Sequence, residues 1–316
     1  MNEINILFLA PHWRVTLMRA FQDSWSKRQL PGRLLGADSD EQAGALQVLT
    51  ESFTLPEFSD STCLDELRDL CKREAVSVIF PLTNKAVDFL DTNRKVLGDY
   101  ISYMPPAETV AVCHDKFEMA ERFQEASLNV PPTFLADALP DDIPFPLITK
   151  PRHGEGSQNV HRVESAEDLE YFRQKFPQHV FQKFIEGTEF SIDWFANRKG
   201  IPRLISPRER LTVRGGEVMK SRIVLLPKII EVARALGDTL SLTGPATLQG
   251  ILDDEGRFWL TDINLRFGSG YVHSILAGAD IPALIHGELS GVPDSAGEYS
   301  VRDGSIMVRY PGHLIL

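Results

Sequence analysis

Residues 249–270, QGILDDEGRFWLTDINLRFGSG, constrain this chain more than any other stretch. Leu248, Ile251 and Leu252 precede the turn Asp254-Glu255-Gly256, and a second apolar segment at 258–263 follows it. That pattern predicts a β-hairpin. On the second strand Phe258, Leu260 and Ile263 interleave with Thr261, Asp262, Asn264 and Arg266. Asp262 and Asn264 are two positions apart and so project from one face. Gln249, at the end of the hairpin away from the turn, can lie across from them. Three oxygen donors on one face, followed by an arginine and Gly268-Ser269-Gly270, suit Mg²⁺ shared with phosphates. The competing reading is a surface hairpin with polar tips.

Charge narrows the partners. A net charge of −11 argues against broad neutralisation of a nucleic-acid backbone, while leaving room for a local basic pocket. With 43% hydrophobic and 24% charged residues, the composition is that of a soluble globular protein. A length of 316 residues favours two or three packed units. Cys63, Cys71 and Cys113 form no C-x-x-C and no metal spacing, and a sparse, odd set fits a reducing cytosol. Residues 1–10 lack the features of a signal peptide, and no apolar run approaches the roughly 20 residues of a membrane span. The expectation is a cytoplasmic protein without nucleic-acid or membrane partners.

Residues 4–9, INILFL, are a short apolar run of the kind a buried parallel strand shows. A helix is expected over 13–25, a strand at 33–36 closed by Ala37-Asp38-Ser39, a helix over 64–72 and a strand at 77–80 ending in Pro81-Leu82-Thr83. This alternation makes residues 1 to about 105 a small doubly wound α/β unit. A dinucleotide fold would place glycines after the first strand; Ala10-Pro11-His12-Trp13-Arg14 stands there instead. Arg14 and Asp38 fall at strand ends where such sheets bind ligands, or they are solvated loop charges.

One helix is expected over 108–126, with Asp115-Lys116 in its first half, before Pro131-Pro132. Residues 144–149 then lead into Lys150-Pro-Arg-His-Gly-Glu-Gly-Ser157. Gly154 and Gly156 allow close backbone approach, and Ser157 with bare N–H groups can hold phosphate oxygens. No G-K-[ST] follows, so this is not a Walker loop; a plain turn is the alternative. Residues 166–175 read as a helix. Residues 180–194 read as strand, kink at Glu186-Gly187, and strand, with Phe190, Ile192 and Trp194 alternating with Glu189, Ser191 and Asp193. Such a kink leaves backbone amides free to read a purine edge. After a strand at 201–205, Arg203, Arg208, Arg210, Arg214, Lys220 and Arg222 fall within twenty residues; they form an anion pocket or a solvated basic loop. A helix follows over 227–242.

In this order the parts resemble the ATP-grasp superfamily, in the branch near the large subunit of carbamoyl phosphate synthetase, with D-alanine–D-alanine ligase and biotin carboxylase more distant. The resemblance implies an α/β fold, α+β in its ATP-grasp part. A doubly wound pre-ATP-grasp domain (1–106) would precede a lid or central subdomain (107–186) and a C-terminal subdomain (187–316). It implies ATP and Mg²⁺, with Mn²⁺ as an alternative. Lys116 and Lys150 would reach the phosphates, with Gly154, Gly156 and Ser157 closing over them. Gln182, Lys183, Phe184 and Ile185 would line adenine, the backbone of Lys183 and Ile185 meeting its edge, and Glu189 would bind the ribose. Gln249, Asp262 and Asn264 would hold the metal, and Arg266 would stabilise the transferred phosphoryl group, so Arg266, Lys150 and Asn264 carry the catalysis.

The reaction so implied activates a carboxylate as an acylphosphate for attack by an amine or thiol. Arg208, Lys220 and Arg222 would hold the carboxylate or γ-phosphate, and Gly268 and Ser269 would give room around the acyl group. The alternatives are an ATP-binding subunit or sensor without ligation, a phosphotransferase, and bicarbonate use. Partners would be small-molecule carboxylates and amines, with a homodimer left open. His12, His114, His153, His161 and His273 are scattered and expected to be structural or exposed. Two departures stand out. Asp262 sits where relatives carry the longer glutamate. The loops Pro11-His12-Trp13-Arg14 and Thr83-Asn84-Lys85 differ from theirs, so substrate identity does not carry over.

Overall fold

The computed structural model describes residues 3–154, 159–292, 297–310 and 312–315. Three sheets organise them, and each follows from its own apolar pattern. The first is parallel, in the order β3-β2-β1-β4, from β1 (Ile6–Leu9), β2 (Leu34–Asp38), β3 (Glu51–Thr54) and β4 (Val78–Pro81). Every residue of β1, β2 and β4 is buried, as expected of strands covered on both faces. Helices α1 (Val15–Arg28), α2 (Cys63–Arg73), α3 (Asn84–Thr92) and the single turn α4 (Arg94–Leu97) connect them. Two expectations shift here. The second strand runs on through Asp38, and β3 was not anticipated. Its sequence ESFT alternates partly buried and exposed positions at the sheet edge, so it lacks the apolar run that betrays a buried strand.

The helix expected over 108–126 is two helices, α5 (Ala107–His114) and α6 (Lys116–Glu125). Asp115 between them is extended (φ −113°, ψ 109°) and its carboxylate accepts from the amides of Phe117 and Glu118. An aspartate that caps a new N-terminus competes with the helix it interrupts. Next comes an antiparallel sheet in the order β5-β8-β6-β7, from β5 (Thr133–Leu135), β6 (Leu147–Pro151), β7 (His161–Val163) and β8 (His179–Lys183), with α7 (Ala166–Lys175) joining β7 to β8. Its small core is Ala136, Ile143, Leu147, Val163 and Phe181.

The third sheet has six strands in the order β13-β12-β9-β10-β11-β14: β9 (Thr188–Ala196), β10 (Pro202–Arg214), β11 (Glu217–Ile223), β12 (Gly244–Leu252), β13 (Phe258–Asn264) and β14 (Ile306–Val308). The basic segment expected as a pocket or loop is therefore a long β-hairpin, turned by Gly215 and Gly216 at positive φ. Period-two alternation assigns its neighbour β9 to two cores. Ile192 and Trp194 face α8 (Pro227–Thr239), packing with Ile229, Ala233 and Leu236. Phe195 points the other way, into a core shared with Phe8, Phe21 and Phe80 of the first unit and with Ile281 and Ile285. α8 approaches closely because Gly237 lies against the Trp194 indole; a Cβ there would sit 2.2 Å from the ring. Short α9 (Val272–Leu276) and α10 (Ile281–Leu289) complete that second core. No helix among the described residues is long and apolar enough to cross a membrane.

Candidate active site

The hairpin β12–β13 forms the floor of a cleft of about 1010 Å³. Gln249 pairs directly with Asp262, and Thr247 with Asn264, so the three oxygen-bearing side chains share one face as their spacing requires. The Asn264 amide nitrogen donates to Asp262 Oδ2 at 3.2 Å. Asn264 Oδ1 accepts from Asn84 at 3.3 Å and from Arg266 Nη2 at 3.2 Å, and Arg266 Nε donates to Asn84 Oδ1 at 3.0 Å. Asn84 is the first residue of α3, so the first unit contributes directly to the floor's far end.

The antiparallel β5-β8-β6-β7 sheet stands opposite. Lys150, near the end of β6, reaches across and donates to the Thr261 carbonyl of β13 at 3.2 Å. Burial pushes its ammonium down to about 8; Asp262 opposes that shift and Lys116 adds to it. Lys116 Nζ donates to the Gly154 carbonyl at 2.9 Å. Lys116 is thus tied to the stretch that leads into the glycine loop, while Lys150, from that same stretch, reaches the floor. Gly156 and Ser157 lie outside the described residues.

The third wall is the β8–β9 connection. Gln182 Nε2 donates to Thr133 Oγ1 at 2.8 Å, and the Arg162 guanidinium lies 4.4 Å from the centre of the Phe184 ring. The Lys183 amide donates to the Pro132 carbonyl, extending the pairing of β5 with β8. The Ile185 amide has no hydrogen-bond partner among the described residues and remains available. Beyond it Glu189 meets Arg210 at 3.2 Å. Burial lowers the pKa of Arg210, partly offset by Glu189.

Lys116, Lys150, Gly154 and Gln182 thus line one cleft with Lys183, Phe184, Ile185, Glu189, Gln249 and Asp262. Asn264 and Arg266 adjoin it through Asp262 and Asn84. The basic residues expected to hold substrate are placed elsewhere. Arg208 is 1% exposed and makes two 2.7 Å bonds to the fully buried Asp193, which Ser274 also caps at 2.6 Å. Arg222 pairs with Glu209 at 2.6 Å, and Lys220 is exposed on β11. None of the three lines the cleft. Arg208 and Arg210 are two apart and leave β10 on one side, so position along the strand separates them: Arg208 is locked on Asp193, whereas Arg210 reaches Glu189 at the cleft. Gly268 donates to Thr247 Oγ1 at 3.0 Å and a Cβ there would lie 2.6 Å from that oxygen, while Ser269 bonds Glu217.

Arg210, from the basic run at 208–222, and Asn84 and Lys85, from the loop at 83–85, line the cleft; the sequence pointed to the run and the loop but gave none of the three an individual role. His114, also on the wall, pairs with Asp88 at 2.5 Å, and His153 Nδ1 lies 3.1 Å from the His114 carbonyl. His273 is buried between Ser221 and Ser305, and burial with Arg208 nearby holds its pKa down at about 4.

Residues 113–270, half of the chain, match the ATP-grasp domain family, and residues 6–99 match the PylC-like N-terminal domain. The chain is 23% identical over 289 residues to a carbamoyl-phosphate synthase of Methanobrevibacter smithii, covering 84% of this chain and 75% of that protein. Its fold is similar to the crystal structure of L-amino acid ligase from Bacillus licheniformis, with TM-score 0.73, 20% identity, and coverage of 93% and 77%. It is also similar to a biotin carboxylase complex from Campylobacter jejuni, with TM-score 0.76, 18% identity, and coverage of 97% and 76%.

Proposed function

This chain belongs to the ATP-grasp family, and on that premise we propose that it is an ATP- and Mg²⁺-dependent ligase that joins a carboxylate to an amine. The observation that carries the reading is the cleft itself. Lys116 and Lys150 border it on one side; Arg210, Gln249 and Asp262 come from the six-stranded sheet on the other, with Arg266 adjoining. ATP would lie between the β5-β8-β6-β7 sheet, as lid, and the β12–β13 floor, its base beside Phe184 and the free Ile185 amide.

The donor set fits Mg²⁺ in a particular way. Gln249, Asp262 and Asn264 offer oxygens from one face, but only Asp262 is charged. Among the described residues no group of three or more His, Cys, Asp or Glu could hold an ion. A hard cation here would complete its shell with phosphate oxygens and arrive with the nucleotide. When bound, it supplies neutralisation of phosphate charge.

In the reaction a carboxylate oxygen takes the γ-phosphoryl group and ADP leaves. The amine nitrogen then attacks the acyl carbon, the carbon–oxygen bond to phosphate breaks, phosphate departs and the nitrogen gives up a proton. The protein's part is positioning and charge stabilisation. Lys150 and Lys116 orient the phosphates. Arg266, oriented by Asn84, faces the charge that develops on the transferred group. Lid closure excludes water that would hydrolyse the acylphosphate.

The test is ADP and phosphate release against panels of carboxylates and amines, with product mass identifying the joined molecule. A retained phosphate would make it a phosphotransferase. The single carboxylate of the metal face favours one other reading, a nucleotide-binding unit without ligation. Tight ATP binding with no turnover on any pair would select that reading instead.

A further inference from the structure

A second cavity, about 590 Å³, opens at the C-terminal ends of the first, parallel sheet. It sits beside β1, where the order β3-β2-β1-β4 reverses direction and the crevice between neighbouring connections widens. Its lining differs in kind from the first cleft. Leu9, Leu55, Phe58 and Trp13 supply its apolar and aromatic part, beside polar residues among which acids outnumber the single lysine. Phe58 is backed by Phe89 in a 4.8 Å stack, whereas Trp13 is 61% exposed and has the His12 ring beside it at 5.9 Å.

The loop presenting Trp13 is held rigidly. Ala10 (φ 54°) and His12 (φ 46°) both adopt the left-handed conformation without being glycine. Buried Asp38 holds them there, accepting from the His12 amide at 3.0 Å and lying 3.0 Å from His12 Nδ1. Asp38 is thereby occupied, and two further carboxylates stand at the rim. Asp40 accepts from the Gln42 amide and Glu57 from the Ser39 hydroxyl. Neither pairs with a cation among the described residues, and both are exposed. Lys85 is the one lysine of the lining, and it also lines the ATP cleft, so the two cavities adjoin at α3.

The first cleft is walled by cations and suits phosphates. The second carries unpaired carboxylates around an apolar, aromatic hollow, which repels anions and suits an ammonium on an apolar body. We propose that this cavity binds the amine substrate as a cation with an apolar or aromatic side chain, held between Trp13 and the Asp40–Glu57 rim. The proposal rests on the ligase reading above, and it deepens that reading by naming the acceptor's chemistry.

Phenethylamine and 3-phenylpropionate share a ring and differ in charge, so they are the probes. Calorimetric titration of the full chain should show binding of phenethylamine and none of 3-phenylpropionate. Asp40→Asn with Glu57→Gln should weaken phenethylamine about tenfold, and Trp13→Ala should weaken it similarly, with ATP binding unchanged in both. Equal binding of the anion, no binding of the amine, or unchanged affinity in both variants overturns the assignment. ATP turnover in the same samples separates the two ideas. An amine that binds as described while no substrate pair supports turnover sinks the ligase reading and leaves the cavity assignment standing. Ligation with an unchanged amine KM in both variants sinks the cavity assignment alone.

Discussion

Arg266 Nε donates to Asn84 Oδ1 at 3.0 Å, joining residues 182 positions apart. The bond aims the guanidinium at the end of the metal face, and its acceptor comes from a different sheet system. Asn84→Ala should therefore lower kcat about fivefold with little change in the KM for ATP, because one orienting hydrogen bond contributes about 1 kcal/mol. Arg266→Ala should cost about a hundredfold or more, the scale of removing a charge stabiliser. Steady-state kinetics check both; an Asn84→Ala enzyme as slow as Arg266→Ala would mean that Asn84 does more than orient.

Lys150 titrates at about 8 in the folded chain against an ordinary value of 10.5. Between those values the unfolded chain binds more protons, so this residue's contribution makes stability rise with pH across that window. Below about 8 the buried ammonium exerts its full destabilising effect. Lys150→Met should stabilise the ligand-free protein at pH 7, on the order of 1–2 kcal/mol, with the gain fading toward pH 10.5. The same variant should lose ATP turnover, and wild-type ATP affinity should fall as pH rises past 8. Melting curves at several pH values decide it; a lower melting temperature for Lys150→Met at pH 7 refutes the account.

Asp262 is the sole charged donor of the Gln249–Asp262–Asn264 face. Asp262→Asn should raise the Mg²⁺ concentration needed for half-maximal turnover by about tenfold or more, one charged ligand being worth at least 1.4 kcal/mol. Asp262→Glu, which keeps the carboxylate and lengthens it by one methylene, should retain activity. Mg²⁺ titrations of the two variants distinguish a ligand from a spacer: equal behaviour would show that the carboxylate does not meet the ion.

Arg208 and Asp193 form a buried ion pair beneath the site. Asp193→Ala leaves a buried guanidinium unpaired and should destabilise the protein by about 3–5 kcal/mol. Replacing both, as Arg208→Met with Asp193→Leu, should recover most of that loss. Denaturant unfolding measures each. An Asp193→Ala protein of normal stability would reopen a substrate role for Arg208.

The shared face of Asp262 and Asn264 was legible from their spacing of two. The turn at 254–256 pairs Leu252 with Phe258 and Gly250 with Leu260, and a bulge beyond that pair, which no local pattern announces, brings Gln249 opposite Asp262. Lys116 and Lys150 were legible for another reason, since Lys116 follows a helix-capping aspartate and Lys150 precedes a glycine loop. The basic hairpin was not. Six cations in twenty residues look alike in sequence, and only the depth of the Asp193 layer separates Arg208, which is locked in the core, from Arg210, which reaches the cleft.

What the sequence determined by itself are the quantities that depend on neighbours in the chain: apolar runs, alternation, caps and turns. These set the parallel sheet, the β12–β13 face and the order of the parts. Tertiary structure alone decided which residues meet across long separations. It placed Asn84 on Arg266, Lys150 on Thr261, and Trp13 over a carboxylate-rimmed hollow. Such contacts depend on how separately folded layers pack, and packing is settled by shape and burial summed over the whole molecule rather than by any local pattern. The opening hairpin is thus a polar face by sequence, and the floor of a cleft only because other elements close over it.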